Sequence, residues 1–449
     1  MPHINTGDTA WVLMSSALVL LMTPGLAFFY GGMVRAKSVL NMLMMSVVTI
    51  GVVSILWVLF GFSLSFGDGG NGLIGGFSDI GLGDAFDKVA VNGAEYPIPL
   101  LVFAAFQLMF AIITPALISG AIADRARFGA WVVFVAAWVT VIYFPVAHWV
   151  FAFGDADGNG AGWLANMGVL DFAGGTAVHV NAGAAGLALA LVLGKRVGWK
   201  RDPMRPHSLP LVMLGASLLW FGWFGFNAGS ALGANGGASL VFMNTQVATA
   251  SAVLGWLVVE KLRDGHATTL GAASGAVAGL VAITPSCASL SPIGSIALGL
   301  LAGALCALAV SLKYRFGFDD SLDVVGVHLV GGAFGSVAIG FLAAPQTVSG
   351  AKGLLYGGGM DGLELLGKQA LAVVAVGTFS FVGAYIIGTI IDKTMGFRVT
   401  EEDEVMGIDQ VFHAESAYEN HASLASTRPE PALVTTAQQS RQPEERVHS

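Results

Sequence analysis

Long apolar runs separated by short polar stretches dominate this chain, and their length sets the first expectation. A helix crosses the bilayer core with roughly 20 consecutive, predominantly apolar residues. Such runs fall near 9–32, 39–63, 99–121, 129–151, 170–194, 209–230, 241–260, 268–286, 293–312, 321–343 and 369–392. The pattern predicts an all-α polytopic membrane protein with eleven transmembrane helices. Segment 64–98, rich in Gly and Asp, reads as a hydrated connection that carries little information. After Arg398 the character turns acidic and then rich in Ser, Pro, Gln and Ala. We therefore expect a membrane domain over 1–398 and a cytoplasmic tail over 399–449, ordered to about 420 and disordered beyond it.

Composition agrees. Hydrophobic residues make up 55% of the chain and charged ones 11%, with a mean hydropathy of +0.73, whereas soluble domains carry about 25% charge. The 61 glycines suit helices that approach closely in lipid. The formal charge of -8 comes mostly from loop and tail carboxylates and gives no indication of a nucleic-acid partner. Cys287 and Cys306 lie in apolar stretches without metal-type spacing, so neither a disulfide framework nor a zinc site is expected. The N-terminus lacks a basic region and a convincing cleavage site, so the first run is expected to be retained as a span.

The placement of positive charge orients the helices, because Lys and Arg concentrate in cytoplasmic loops. With the N-terminus outside, 15 of the 21 Lys and Arg fall in inner loops, three (Lys88, Lys352, Lys368) in outer loops, and three (Arg428, Arg441, Arg446) in the tail. An outside N-terminus and a cytoplasmic C-terminus follow, in a multi-pass protein of the cell (inner) membrane. Spans one to five and six to ten then form two halves of opposite orientation, a five-plus-five inverted repeat. Weak similarity between the Gly-aromatic segments 28–32 and 224–229 agrees with it, although composition alone could produce that likeness. Inverted repeats typically enclose a pathway at their interface.

Ionisable side chains inside a span are costly and tend to mark such a pathway. At about 1.5 Å per residue, Asp171 lies at the outer end of span five, His179 roughly 12 Å deeper, and His328 roughly 10 Å in from the inner face on span ten. Either imidazole alone reads more readily as a core histidine bonded to a backbone carbonyl, but the matched depth favours a shared role. Metal ligation is not expected, since no third ligand lies at helical spacing. Phe106 and Phe110 share a face of span three just above this level, Phe226 and Ser230 share one on span six, and His148, Trp149 and Phe151 end span four. Aromatics at an outer rim fit a bilayer belt or a cup that attracts a small cation, helped by a hydroxyl and the field of Asp171.

These residues sit within strings that resemble the ammonium transporter family (the Amt, MEP and Rh group), bacterial Amt-type, over roughly 9–418. The strings are FFYGGMVR (28–35), AIADRARF (121–128), DFAGGTAVHVN (171–181), WFGFNAGS (223–230), GLVAITP (279–285) and DVVGVH (323–328). The resemblance implies a homotrimer with one pore per subunit. It also implies that Ser230 accepts a hydrogen bond from ammonium, that Asp171 shapes the vestibule from behind, and that Phe110 and Phe226 close the pore with Phe106 and Trp223 nearby. His179 and His328 would form a twin-histidine pair below that gate, and Thr284 would line the pore. Where many bacterial members carry Trp, this chain has Phe151, which keeps a cation-π face but loses the indole donor. The segment GIDQVFHAESAY (407–418) resembles the C-terminal region that packs beneath the pores and contributes to regulation by a PII-type signal protein.

The expected function is transport of ammonium or ammonia, with methylammonium as analogue and no cofactor. Ammonium would be selected at Ser230 and Phe226 and lose its proton near the gate, because an isolated ion faces a severe penalty in a dry apolar passage. Two adjacent imidazoles titrate as a coupled pair, so they could hydrogen-bond ammonia, relay the proton, or do both. The rivals are an ammonium sensor acting through the tail, a channel for carbon dioxide or urea, and an intramembrane enzyme. No activated nucleophile or metal set supports the last.

Overall fold

The hydrophobic pattern resolves into helices in a computed structural model that describes residues 4–418. Among them, ten helices are long and apolar enough to cross a membrane: α1 (Thr6–Met33), α2 (Ala36–Phe66), α3 (Leu100–Ile122), α4 (Phe128–Phe151), α5 (Gly175–Leu193), α6 (Leu209–Gly229), α7 (Gly236–Asp264), α9 (Pro292–Phe316), α10 (Val325–Leu342) and α11 (Gly359–Met395). The eighth expected span is the shorter apolar helix α8 (Thr269–Ile283). It stops short of 286 because 284–290 continue as buried turns. Irregular backbone at membrane depth is tolerated only where protein satisfies it, and here the Asn244 amide donates to the Cys287 and Leu290 carbonyls at 2.8 and 2.7 Å. Both cysteines are free and buried. The disorder expected beyond about 420 lies outside the described residues.

The expected starts of spans five and ten, at 170 and 321, are too early. Helix α5 begins at Gly175 and α10 at Val325, and each is preceded by a buried carboxylate that holds its first N–H groups. Asp171 accepts from the backbone of Gly174, Gly175, Thr176 and Ala177 and from the Thr176 hydroxyl. Asp320 accepts from the backbone of Val324 and Val325 at 3.1 and 2.8 Å. The free N–H groups of a first helical turn need such partners, and a negative charge there is favourable. Both helices then open with a wide π-helical turn, Gly175–Val180 and Val325–Leu329.

Segment 64–98 departs from the hydrated connection expected of it. It contains an antiparallel hairpin of β1 (Val89–Val91) and β2 (Glu95–Pro99), with Ala90 and Ile98 fully buried. Its strands are too short and its flanks too rich in Gly and Asp to register as a hydrophobic run. The preceding stretch is anchored as well: the two ring nitrogens of His148 lie 2.9 and 2.7 Å from the Ser65 and Asn71 carbonyl oxygens, and the Trp149 indole donates to Leu73 O at 2.8 Å. His148 is thus a strut beneath this segment.

On the opposite face, the chain after α11 forms α12 (Glu401–Met406) and a turn at Asp409–His413. Glu404, fully buried, accepts from Arg35, from Val197 N–H and from Arg398. Asp409 accepts from the backbone of Leu40 and Asn41 at the start of α2. Segment 399–413 is therefore seated on the helix ends.

Candidate functional site

The two histidines are brought together by a crossing of α5 and α10 at glycine. A Cβ on Gly183 would stand 2.4 Å from Leu329 N, and one on Gly332 would stand 2.8 Å from Gly175 O. With hydrogen at both positions the helices approach closely, as small residues permit in membranes. Asp171, His179 and Gly183 repeat the spacing of Asp320, His328 and Gly332: eight residues from carboxylate to imidazole and four more to glycine. Cap, π turn, imidazole and crossing point thus recur on both helices. The sequence contains this repeat, but Asp320 lies one residue outside the tenth apolar run and Gly183 and Gly332 are two among 61 glycines, so no local signal marks them.

The crossing sets His179 Nδ1 3.3 Å from His328 Nδ1, with ring centroids 5.3 Å apart and planes 25° from parallel. Both rings are buried. Two Nδ1 atoms can share one hydrogen bond only if one carries the proton and the other offers its lone pair. Two neutral rings in this contact therefore have opposite tautomers, leaving one Nε2–H and one Nε2 lone pair. The Nε2 atom of His179 has no protein partner.

These rings border a narrow apolar space of about 10 Å³, lined also by Trp223, Phe226, Leu26 and Val277. That is about the room one water needs. Trp223 stacks on His179 with centroids 5.4 Å apart. Above this space lies a larger cavity of about 230 Å³, lined by Phe110, Phe151, Asp171, Ser230, Tyr96 and Gln107 among others. Between the two spaces stand Phe110 and Phe226, ring centroids 4.3 Å apart. Phe151 flanks Phe110 at 6.5 Å.

Of the ten residues singled out by sequence, four (Phe110, Phe151, Asp171 and Ser230) border the upper cavity, and four (Trp223, Phe226, His179 and His328) border the lower space. The remaining two border neither. Phe106 is fully buried behind the partition, edge-on to Phe110 at 5.0 Å. Thr284 accepts the Trp223 indole N–H at 2.9 Å and donates to Leu280 O at 2.7 Å. The carboxylate of Asp171 borders the cavity with both oxygens committed to the α5 cap, and the Ser230 hydroxyl donates to Phe226 O at 2.9 Å, leaving its lone pairs as acceptors. Among the described residues no cluster of three His, Cys, Asp or Glu could hold a metal ion.

Toward the tail face the helix ends are laced by charge. Arg196 grips Asp319 through two contacts of 2.9 and 2.8 Å and reaches Asp124 at 3.3 Å. Asp124 also meets Arg35, which continues to Glu404 and then to Arg398. Burial pushes the Arg125 guanidinium down to about 10, against the pull of the Asp319 carboxylate. Burial likewise pushes Asp320 up to about 6, opposed by the Lys313 ammonium.

A bundle of bilayer-length apolar helices enclosing a narrow, histidine-lined space beneath a wider cavity defines a multi-pass membrane transport protein. Residues 10–418 match the Ammonium Transporter Family. The chain is 57% identical over 444 residues to an ammonium transporter of Mycobacterium tuberculosis, covering 94% of this chain and 92% of that one. It is 46% identical over 420 residues to an ammonium transporter of Bacillus subtilis, covering 93% and 100%. Among solved structures, Mep2 of Saccharomyces cerevisiae superposes with a TM-score of 0.78 at 33% identity over 89% of this chain and 91% of that one. A sensor Amt protein gives 0.82 at 29% identity over 91% and 98%. The chain belongs to the ammonium transporter family, a family of transporters rather than enzymes.

Proposed function

We propose that this ammonium transporter gathers ammonium in the upper cavity, removes its proton at the Phe110–Phe226 partition and passes ammonia along the lane of His179 and His328. The observation that carries this reading is the 3.3 Å contact between the two imidazoles in a space too small and too apolar for a hydrated cation. An ion stripped of water there would meet only rings and aliphatic carbon, at a cost of many kcal/mol. Ammonia, with one lone pair and three donors, finds a complementary lane in which one Nε2 accepts and the other donates. In the upper cavity the Ser230 oxygen accepts from ammonium, and Phe110 and Phe151 offer ring faces, with Phe226 stacked below Phe110 at the partition. The proton released at the partition either returns to the upper cavity or travels through the paired imidazoles by tautomer exchange.

On this reading eleven helices, α1 to α11, span the membrane as two inverted sets of five with α11 outside the repeat. The hairpin face is outside and the tail face cytoplasmic, in keeping with the distribution of Lys and Arg. The family resemblance adds a trimer of such subunits and a PII-type partner at the tail face.

Methylammonium uptake by cells lacking their own transporters tests the pathway. Wild type accumulates the analogue, while His179→Asp and Ser230→Leu lower uptake at least tenfold at equal membrane abundance. Undiminished uptake by both variants would refute this pathway. Current recordings on reconstituted protein across a pH series separate the two proton routes: charge movement that scales with ammonium supports the relay, and none supports return.

A further inference from the structure

The upper cavity has a wall that the transmembrane helices do not supply. Tyr96, from β2 of the hairpin, borders it together with Phe110, Phe151 and Ser230. This hairpin is built into the mouth. The Asn92 amide donates to Phe151 O at 2.9 Å and its Oδ1 accepts from Phe153 N–H at 2.7 Å, while Gly93 N–H donates to Gly154 O at 2.8 Å. These three bonds fix the hairpin turn to the backbone that carries Phe151. From the other side Asn5 N–H donates to Pro97 O at 2.8 Å, next to Tyr96. Tyr96 is therefore half-buried on a frame held at both ends.

Phe151 offers a weaker ring face than Trp and no polar handle. A tyrosine on the same cavity supplies both a ring face and a hydroxyl acceptor. We propose that Tyr96 is a substrate-binding residue of the upper cavity, giving ammonium a second aromatic wall where Phe151 lacks an indole. This rests on the reading that ammonium collects in that cavity.

The test is the KM for methylammonium in wild type, Tyr96→Ala, Tyr96→Phe, and Tyr96→Ala combined with Phe151→Trp, all at matched membrane abundance. A partly desolvated cation-π contact corresponds to a KM rise of about three- to tenfold in Tyr96→Ala, with a smaller change in Vmax. Tyr96→Phe falls between it and wild type, and Phe151→Trp restores the KM of the alanine variant at least in part. Should Tyr96→Ala fail to reach the membrane, Tyr96→Leu, which keeps the bulk without the ring, carries the same comparison. An unchanged KM in the ring-less variant, with Ser230→Leu still impaired, overturns the role of Tyr96 and leaves the pathway standing. An unimpaired Ser230→Leu overturns the reading that ammonium collects in that cavity.

Discussion

Thr284 stands where two demands on one hydroxyl meet: it accepts the Trp223 indole proton and gives its own to Leu280 O. Because Trp223 stacks on His179, the hydroxyl holds the ring that holds the imidazole. Thr284→Val keeps the shape but leaves a buried indole donor unpaired, a cost of about 1–3 kcal/mol. We expect this variant to unfold at lower temperature in detergent and to lose several-fold in methylammonium uptake, while Thr284→Ser keeps both. Indistinguishable valine and serine variants would show the bond to be idle. The histidines were legible in the sequence because an imidazole inside an apolar run is conspicuous and its depth follows from residue count. The placements of Thr284 and Phe106 were not, since spacing says which residues share a helix face but not which neighbouring helix that face meets.

At the scale of the helix, the eleven apolar runs were legible, and their ends were not. Run five takes in Asp171 because the flanking Leu170 and Phe172 are apolar, and run ten starts one residue after Asp320, although each carboxylate caps the helix that follows. Asp320, 1% exposed, has its carboxyl raised from 3.8 to about 6 by burial. The folded chain thus binds this proton more tightly than the unfolded chain does. The resulting stabilisation is complete below about pH 4 and lost as pH rises through about 6, on the order of 1–3 kcal/mol. Asparagine at this position keeps an oxygen for the cap and does not titrate. Wild type should therefore gain thermal stability over Asp320→Asn in detergent as pH falls from 7.5 to 5, and a gap independent of pH would contradict the assignment.

For the molecule as a whole, the sequence led to the right family and a helical membrane fold, but the lacing of the tail face was invisible in it. Arg35 and Glu404 are 369 residues apart in the chain yet 3.3 Å apart in space. Through Asp124, Arg196 and Asp319 the same network joins the end of α1, the α3–α4 connection and the approaches to α6 and α10. Glu404 is the tail's entry into it and is itself fully buried. Replacing it with alanine leaves Val197 N–H without its acceptor, Arg398 without its carboxylate and Arg35 with Asp124 alone. Breaking a buried pair costs about 3–5 kcal/mol, and here less, because Arg35 and Arg398 keep some contact with solvent. A loss on the order of 2 kcal/mol would speed local opening more than tenfold. Hydrogen exchange of Glu404→Ala should therefore quicken across 401–413 by at least that factor, with the interiors of α5 and α10 unchanged. Because Asp409 binds the start of α2 independently, exchange that stays slow would mean that Asp409 alone seats the tail, whereas exchange that also quickens in α5 and α10 would mean that the network braces the histidine crossing itself.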